Sequence, residues 1–220
     1  MRNLSSVRAG VVPNARRPIV QALVFLFLMS MATWISTVRA QTYDPLAAPK
    51  TESAASGSDA AQAAAPPEVS SALGTVQLQG QKRFRWLGFS VYDIQLWVNE
   101  PLSVKAWADH PFALELVYAR GLSGEAIAEK SLEEMQAQES IDAQRKARWL
   151  SLMQSAFPNV DDGDRLTGIY QPGAGATFYF NGRETASTKD ADFARLFFGI
   201  WLSPDTSEPA MRRALFGMNE

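Results

Sequence analysis

GQKRFRWLGFSVYDIQLWV, residues 80–98, is the most strand-like run in the chain, and its reading decides the fold. From Ser90 to Val98 the side chains alternate. Tyr92, Ile94, Leu96 and Val98 fall on one face, and Val91, Asp93, Gln95 and Trp97 on the other. A period of two marks a strand with two distinct faces. The apolar set predicts a face turned to a core, and the mixed set a face turned to solvent or to a thinner second layer. Just upstream, Arg83 and Arg85 stand two apart and share a face if the strand pairs through that point. Two guanidinium groups flanked by Phe84, Trp86 and Phe89 suit an anionic or carbonyl ligand held against apolar walls. Charges on an edge strand also serve simply to block aggregation, and these residues alone leave both uses open.

Outward from this stretch the pattern extends. Thr75–Leu78 reads as a short leading strand, Val104–Ala108 as a helical turn and Phe112–Tyr118 as a second central strand. Ser123 is placed to cap a helix over GEAIAEKSLEEMQAQ, with Glu125 in its first turn and a stripe of Ile127, Leu132 or Ser131, and Met135. A second helix spans about residues 141–156, burying Trp149 and Met153, and Pro158 stops it. Arg165–Tyr170, Thr177–Phe180 and Arg183–Ala186 read as strands, the last two joined by Asn181-Gly182, a strong hairpin signal. Asp190 opens a helix with Phe193, Leu196, Phe197 and Ile200 as its stripe. Ser207 caps a last helix with Pro209 in its first turn. Strands, two helices, a meander, then two helices give an α+β protein: an antiparallel sheet with helices packed on one face.

The chain has 220 residues, and not all belong to that domain. Residues 1–40 read as a signal peptide. Arg2, Arg8, Arg16 and Arg17 form a basic start, Ala22–Ile35 is apolar, and Val38-Arg39-Ala40 supplies a cleavage site before Gln41. The alternative is an N-terminal membrane anchor, since residues 19–38 run without a charge. Residues 41–71 are rich in Ala, Ser, Gly and Pro and read as a disordered linker, too poor in apolar side chains to offset ordering entropy. Residues 72–218 are then one domain. The expectation is an exported, periplasmic protein, or an inner-membrane-anchored one if the segment stays attached. A membrane enters as partner only in that second case. Without the five arginines of residues 1–40 the rest carries 16 basic and 23 acidic residues, the wrong balance for nucleic acid.

No cysteine is present, which excludes disulfides, thiolate metal sites and a cysteine nucleophile. His110, the one histidine, precedes a proline in a loop, and no G-x-S-x-G elbow accompanies it. The acidic turn of residues 159–164 lacks the twelfth-position glutamate of a calcium loop, so no metal is expected. Gly173-Ala-Gly175 has neither the third glycine nor the helix of a phosphate loop, and no cofactor is expected.

The order of elements, the GFSVYDIQLWV strand, the LELVYARGLSGEAIAEKSLEEM strand-to-helix join and the closing LFFGIWLSP…PAMRRALFG resemble the bacterial chalcone isomerase-like family over about residues 73–218. The resemblance implies an open-faced β-sandwich with a ligand cleft between sheet and helices, used in plant relatives to cyclise chalcones or to bind fatty acids. It implies that the ligand-facing strand arginine is Arg83 or Arg85. The positions of the isomerase tyrosine, asparagine and hydroxyl residue fall on Ile127, Glu134 and Leu196. Each missing donor costs about 3–4 kcal/mol of transition-state stabilisation, which argues against the isomerase reaction. The expectation is a non-catalytic domain binding a small amphipathic ligand such as a fatty acid. Two alternatives stay open: an isomerase or lyase of unknown substrate using Tyr92, Tyr118 or Glu134 as acid–base groups, and a structural envelope protein with a filled cleft.

Overall fold

A computed structural model describes residues 64–218. Their six strands form one sheet in chain order, every neighbour antiparallel: β1 (Gln77–Trp86), β2 (Phe89–Val98), β3 (Phe112–Tyr118), β4 (Arg165–Gln171), β5 (Gly175–Phe180) and β6 (Arg183–Thr188). The helices are α1 (Pro67–Leu73), α2 (Gly124–Gln138), α3 (Ala143–Ala156), α4 (Ala191–Leu202) and α5 (Pro209–Leu215), with a single 3-10 turn at Trp107–Asp109. This is the α+β open-faced sandwich expected from the pattern. The signal-peptide or anchor reading of residues 1–40 and the linker reading as far as residue 63 lie outside the described residues. Among the described residues no helix is long and apolar enough to cross a membrane.

Strand parity sorts the two faces. Ile94, Leu96 and Val98 pair with Leu116, Leu114 and Phe112, all buried under α2 to α5. Trp97, Ala113 and Ile169 lie side by side on the opposite face, where Val69 of α1 closes over them. The helix therefore begins inside the stretch read as linker. The reading missed it because PEVSSAL offers only Val69 and Leu73 as large apolar anchors, too little for an isolated helix; the indole of Trp97, which the helix buries, supplies what the local sequence lacks.

The 80–98 stretch is also not one strand. It is a hairpin that turns at Leu87-Gly88, pairing Arg83 with Asp93 and Phe84 with Tyr92. Leu-Gly is not among the usual turn pairs, which hid the turn. The side-chain caps at Ser123 and Asp190 form as expected, accepting from the amides of Ala126 and Phe193. The last helix starts after Glu208 and has no side-chain cap, so Ser207 does not play that part.

The far half of the sheet–helix interface is solid. Phe178 of β5 stacks among Phe157, Phe193, Phe197 and Phe198, with ring centroids 5.1 to 6.5 Å apart. Gly168 in β4 makes room for this, since a Cβ there would press on the Phe198 ring at 3.0 Å.

Candidate ligand-binding site

Aromatic residues continue across the near half of the same interface, at the β1–β2–β3 edge. Phe84, Tyr92 and Tyr118 are cross-strand neighbours on the helix-covered face. Phe84 and Tyr92 stack at 5.1 Å, and Tyr118 meets Tyr92 edge-on at 6.0 Å. The row ends in a polar spot. The indole Nε1 of Trp201, on α4, donates to the Tyr92 hydroxyl at 3.1 Å. Accepting that bond leaves the phenol proton for a second partner.

Tyr92 keeps some exposure as a residue, yet packing around its hydroxyl is dense enough to dominate its acidity. Burial pushes its pKa well up; the Trp201 bond opposes this, and the charges of Glu208 and Glu134 add to it. Burial likewise raises Tyr118, with Tyr92 contributing. Both stay protonated at neutral pH. Glu208, before α5, is raised above the usual carboxylate range by burial and by Glu134. Glu134 itself accepts an ion pair from Lys130 at 2.9 Å.

The residues expected at a site divide accordingly. Tyr92 is in ring contact with Tyr118 and in the field of Glu134. Ile127 is half-buried against the core, and Leu196 is buried, contributing only its carbonyl oxygen to Gln138 Nε2 at 2.9 Å. The arginines are elsewhere. Arg83 donates twice to Asp93, at 2.8 Å and 2.6 Å, on the face turned away from α2 to α5, and its side chain is 51% exposed. Arg85 is exposed near the hairpin end. The expectation that Arg83 enters the sheet–helix cleft is corrected by parity: it sits opposite Asp93, on the other face from Phe84, while Arg85 lies past a register shift and is exposed. The β1 cation on the helix-covered face is Lys82, opposite Ile94 and part-buried. Beside Arg83 lies an open depression of about 660 Å³ lined by Gln81, Lys82, Arg83, Asp93, Gln95 and Val117.

Trp201, Glu208 and Lys82 were not legible as site residues, and Phe84 was read only as an apolar wall beside the arginines. Phe84 and Lys82 needed the hairpin register. Trp201 lies near the end of a helix whose residues are mostly buried, and nothing in the sequence set it apart from the other buried side chains there.

A second polar cluster sits under α1. Glu68 accepts from Arg165 Nη2 and from the Thr167 hydroxyl, each at 3.0 Å. Arg165 Nε lies 3.2 Å from Glu115 Oε1 but is poorly aligned for a hydrogen bond. Glu115 also accepts from Trp97 Nε1 at 3.1 Å. Burial first, then Glu68, raise the Glu115 carboxyl, while Trp97 and Arg165 pull it down. Apart from Arg165 Nε, which is held by charge alone, these groups are hydrogen-bonded to one another and pin α1 to the sheet.

Comparison with known proteins bears on the fold and the family. An uncharacterised protein of Haemophilus influenzae is 28% identical over 138 residues, 63% of this chain. The chain spans 66% of that relative's length. The solved structure of a fatty-acid binding protein of Arabidopsis thaliana superposes with a TM-score of 0.50 at 14% identity, covering 64% of this chain and 86% of the other. At that identity the likeness is one of fold. Residues 58–217 match the family described as chalcone isomerase-like, and with the match spanning most of the chain, it belongs to that family.

Proposed function

We propose that the chain is a non-catalytic binding protein for a small amphipathic ligand, a fatty acid being the representative case. The observation that carries this is the Phe84–Tyr92–Tyr118 row under the helices, ending at the Tyr92–Trp201 hydrogen bond. An apolar wall with one convergent polar spot is the usual composition of a small-molecule site. The solid phenylalanine packing around Phe178 leaves the near half, between β1–β3 and α5, as the place for a ligand. Lys82 gives that half its cation. Catalysis is disfavoured because neither tyrosine ionises to act as a base, and Ile127 and Leu196 have no polar side-chain atom to offer a developing charge.

Native mass spectrometry of the purified protein, followed by displacement of a fluorescent fatty acid, tests the reading. Retention of an acid, with Tyr92→Phe and Lys82→Ala each weakening binding about tenfold and Arg83→Ala leaving it unchanged, is the expected result. No retained ligand and no stabilisation by added fatty acid would overturn it. That outcome would favour a structural role, for which the dense Phe178 cluster already speaks. We place the domain in the periplasm with Gln41 as the mature N-terminus. A mature mass that still includes residues 1–40 would point to anchoring instead.

A further inference from the structure

Two hairpins of this sheet close on the same turn geometry with different residues. β5 and β6 are joined by Asn181-Gly182 at φ of 49° and 80°; β1 and β2 by Leu87-Gly88 at 48° and 86°. A two-residue turn of this kind needs left-handed backbone at both positions, which asparagine and glycine adopt easily and leucine does not. Leu87 gains no packing in return: it is 70% exposed. Phe89, across the turn, is 66% exposed and Trp86 40%. A bulky apolar residue thus stands where the backbone disfavours it and water surrounds it. Fold stability does not account for that choice.

Arginines flank this apolar tip. Within residues 77–98 the charged groups are Lys82, Arg83, Arg85 and Asp93, and Asp93 is taken up by Arg83. The guanidinium of Arg120 lies 5.9 Å from the Phe89 ring centroid. Asp161, beside Gly121, bounds the cationic surface on that side. The tip is convex, a two-residue turn beyond the strands, so it offers no groove to a helix or strand. Apolar and aromatic side chains ringed by arginine suit the boundary between headgroups and acyl chains. We propose that the Leu87 hairpin tip inserts into the interface of an anionic lipid bilayer, Leu87 and Phe89 entering the acyl boundary and Arg85 and Arg120 meeting the headgroup phosphates. This contact is independent of whether the sheet–helix interface holds a ligand.

The absence of cysteine allows single-site labelling of the full chain. A nitroxide is attached at Leu87→Cys or, as control, at Arg183→Cys beyond the other turn. Vesicles of phosphatidylcholine with one-third phosphatidylglycerol are added. The label at 87 is expected to lose accessibility to a water-soluble nickel chelate about tenfold and to gain accessibility to oxygen, while the label at 183 stays aqueous. Adding Arg85→Glu, or using phosphatidylcholine alone, should largely abolish the change. Label depth is the decisive reading, because the apolar run of residues 19–38 can tether the chain to vesicles by itself. A label at 87 as aqueous as that at 183 on vesicle-bound protein overturns the proposal, and is the result expected if the tip instead meets a protein. Leu87→Asn gives a second check: relief of the turn should raise the thermal midpoint by about 1–4 °C, and a lower midpoint would remove the ground for a functional leucine.

Discussion

At Gly80 one missing side chain decides where the last helix lies. A Cβ there would collide with the carbonyl oxygens of Ala214 and Leu215, so α5 seats its C-terminal end directly on β1. Gly80→Ala should cost about 1–3 kcal/mol, read as a lower denaturant midpoint, and should loosen α5 first. Tyr92→Phe removes the acceptor of the Trp201 indole, which should cost about 1–3 kcal/mol in the same assay. Glu115 has a pH signature. Its folded carboxyl is raised above its ordinary value near 4.5, so the folded state holds its proton more tightly than the unfolded chain does. Its contribution is therefore fully present below that value and is lost as pH climbs through the folded pKa. Glu115→Gln keeps an acceptor for Trp97 and removes the charge. The stability difference between variant and wild type should shift in the variant's favour as pH rises above about 4.5, measured by denaturant melts at a series of pH values; a difference independent of pH would refute the assignment. None of these three roles can be seen in residue identity, because each depends on what the fold sets against the side chain.

The elements divide by where their stability originates. α2 and α4 carry their own start signals, and the amides of Ala126 and Phe193 find Ser123 and Asp190 as the spacing predicts. α4 is buried on nearly every residue, wedged between the sheet and α2. Phe198→Ala should cost about 3–5 kcal/mol, a loss to be seen in thermal or chemical melts. α1 is the opposite case. Its seven residues hold through Val69 and Leu73 against the Trp97 cluster, Glu68 on Arg165 and Thr167, and the Asn99 amide donating to the Leu73 carbonyl. Val69→Ala should cost about 1.5–3 kcal/mol and expose the segment around residues 64–75 to limited proteolysis while the sheet core stays protected. Cleavage there at the wild-type rate would mean that the buried valine does not hold the helix. Its composition reads as linker for a sound reason: nothing local favours a helix, and only the sheet's open face makes one.

For the molecule as a whole, a ligand bound by the folded state alone is expected to raise stability by about 2.7 kcal/mol at a hundred times its dissociation constant, so a midpoint that climbs with fatty-acid concentration would join the site to the fold. The sheet's order, its helix-covered face and the turn at Asn181-Gly182 follow from periodicity and turn chemistry, which are local and so are written along the chain. Tyr92 and Tyr118 were legible for the same reason, lying on the alternating apolar face of their strands. The chain could not announce the turn at Leu87-Gly88, because leucine is a poor choice there. With the turn hidden, the register of β1 was hidden too, and Arg83 was assigned to the wrong side. Pairing of β1 with β2 sends Arg83 to Asp93 and Lys82 to the helices. Contacts between residues far apart in sequence, Tyr92 with Trp201 and Glu68 with Arg165, are decided only when the sheet and its two coverings close. Periodicity settles which way a side chain points relative to its neighbours, and tertiary packing alone settles what it meets.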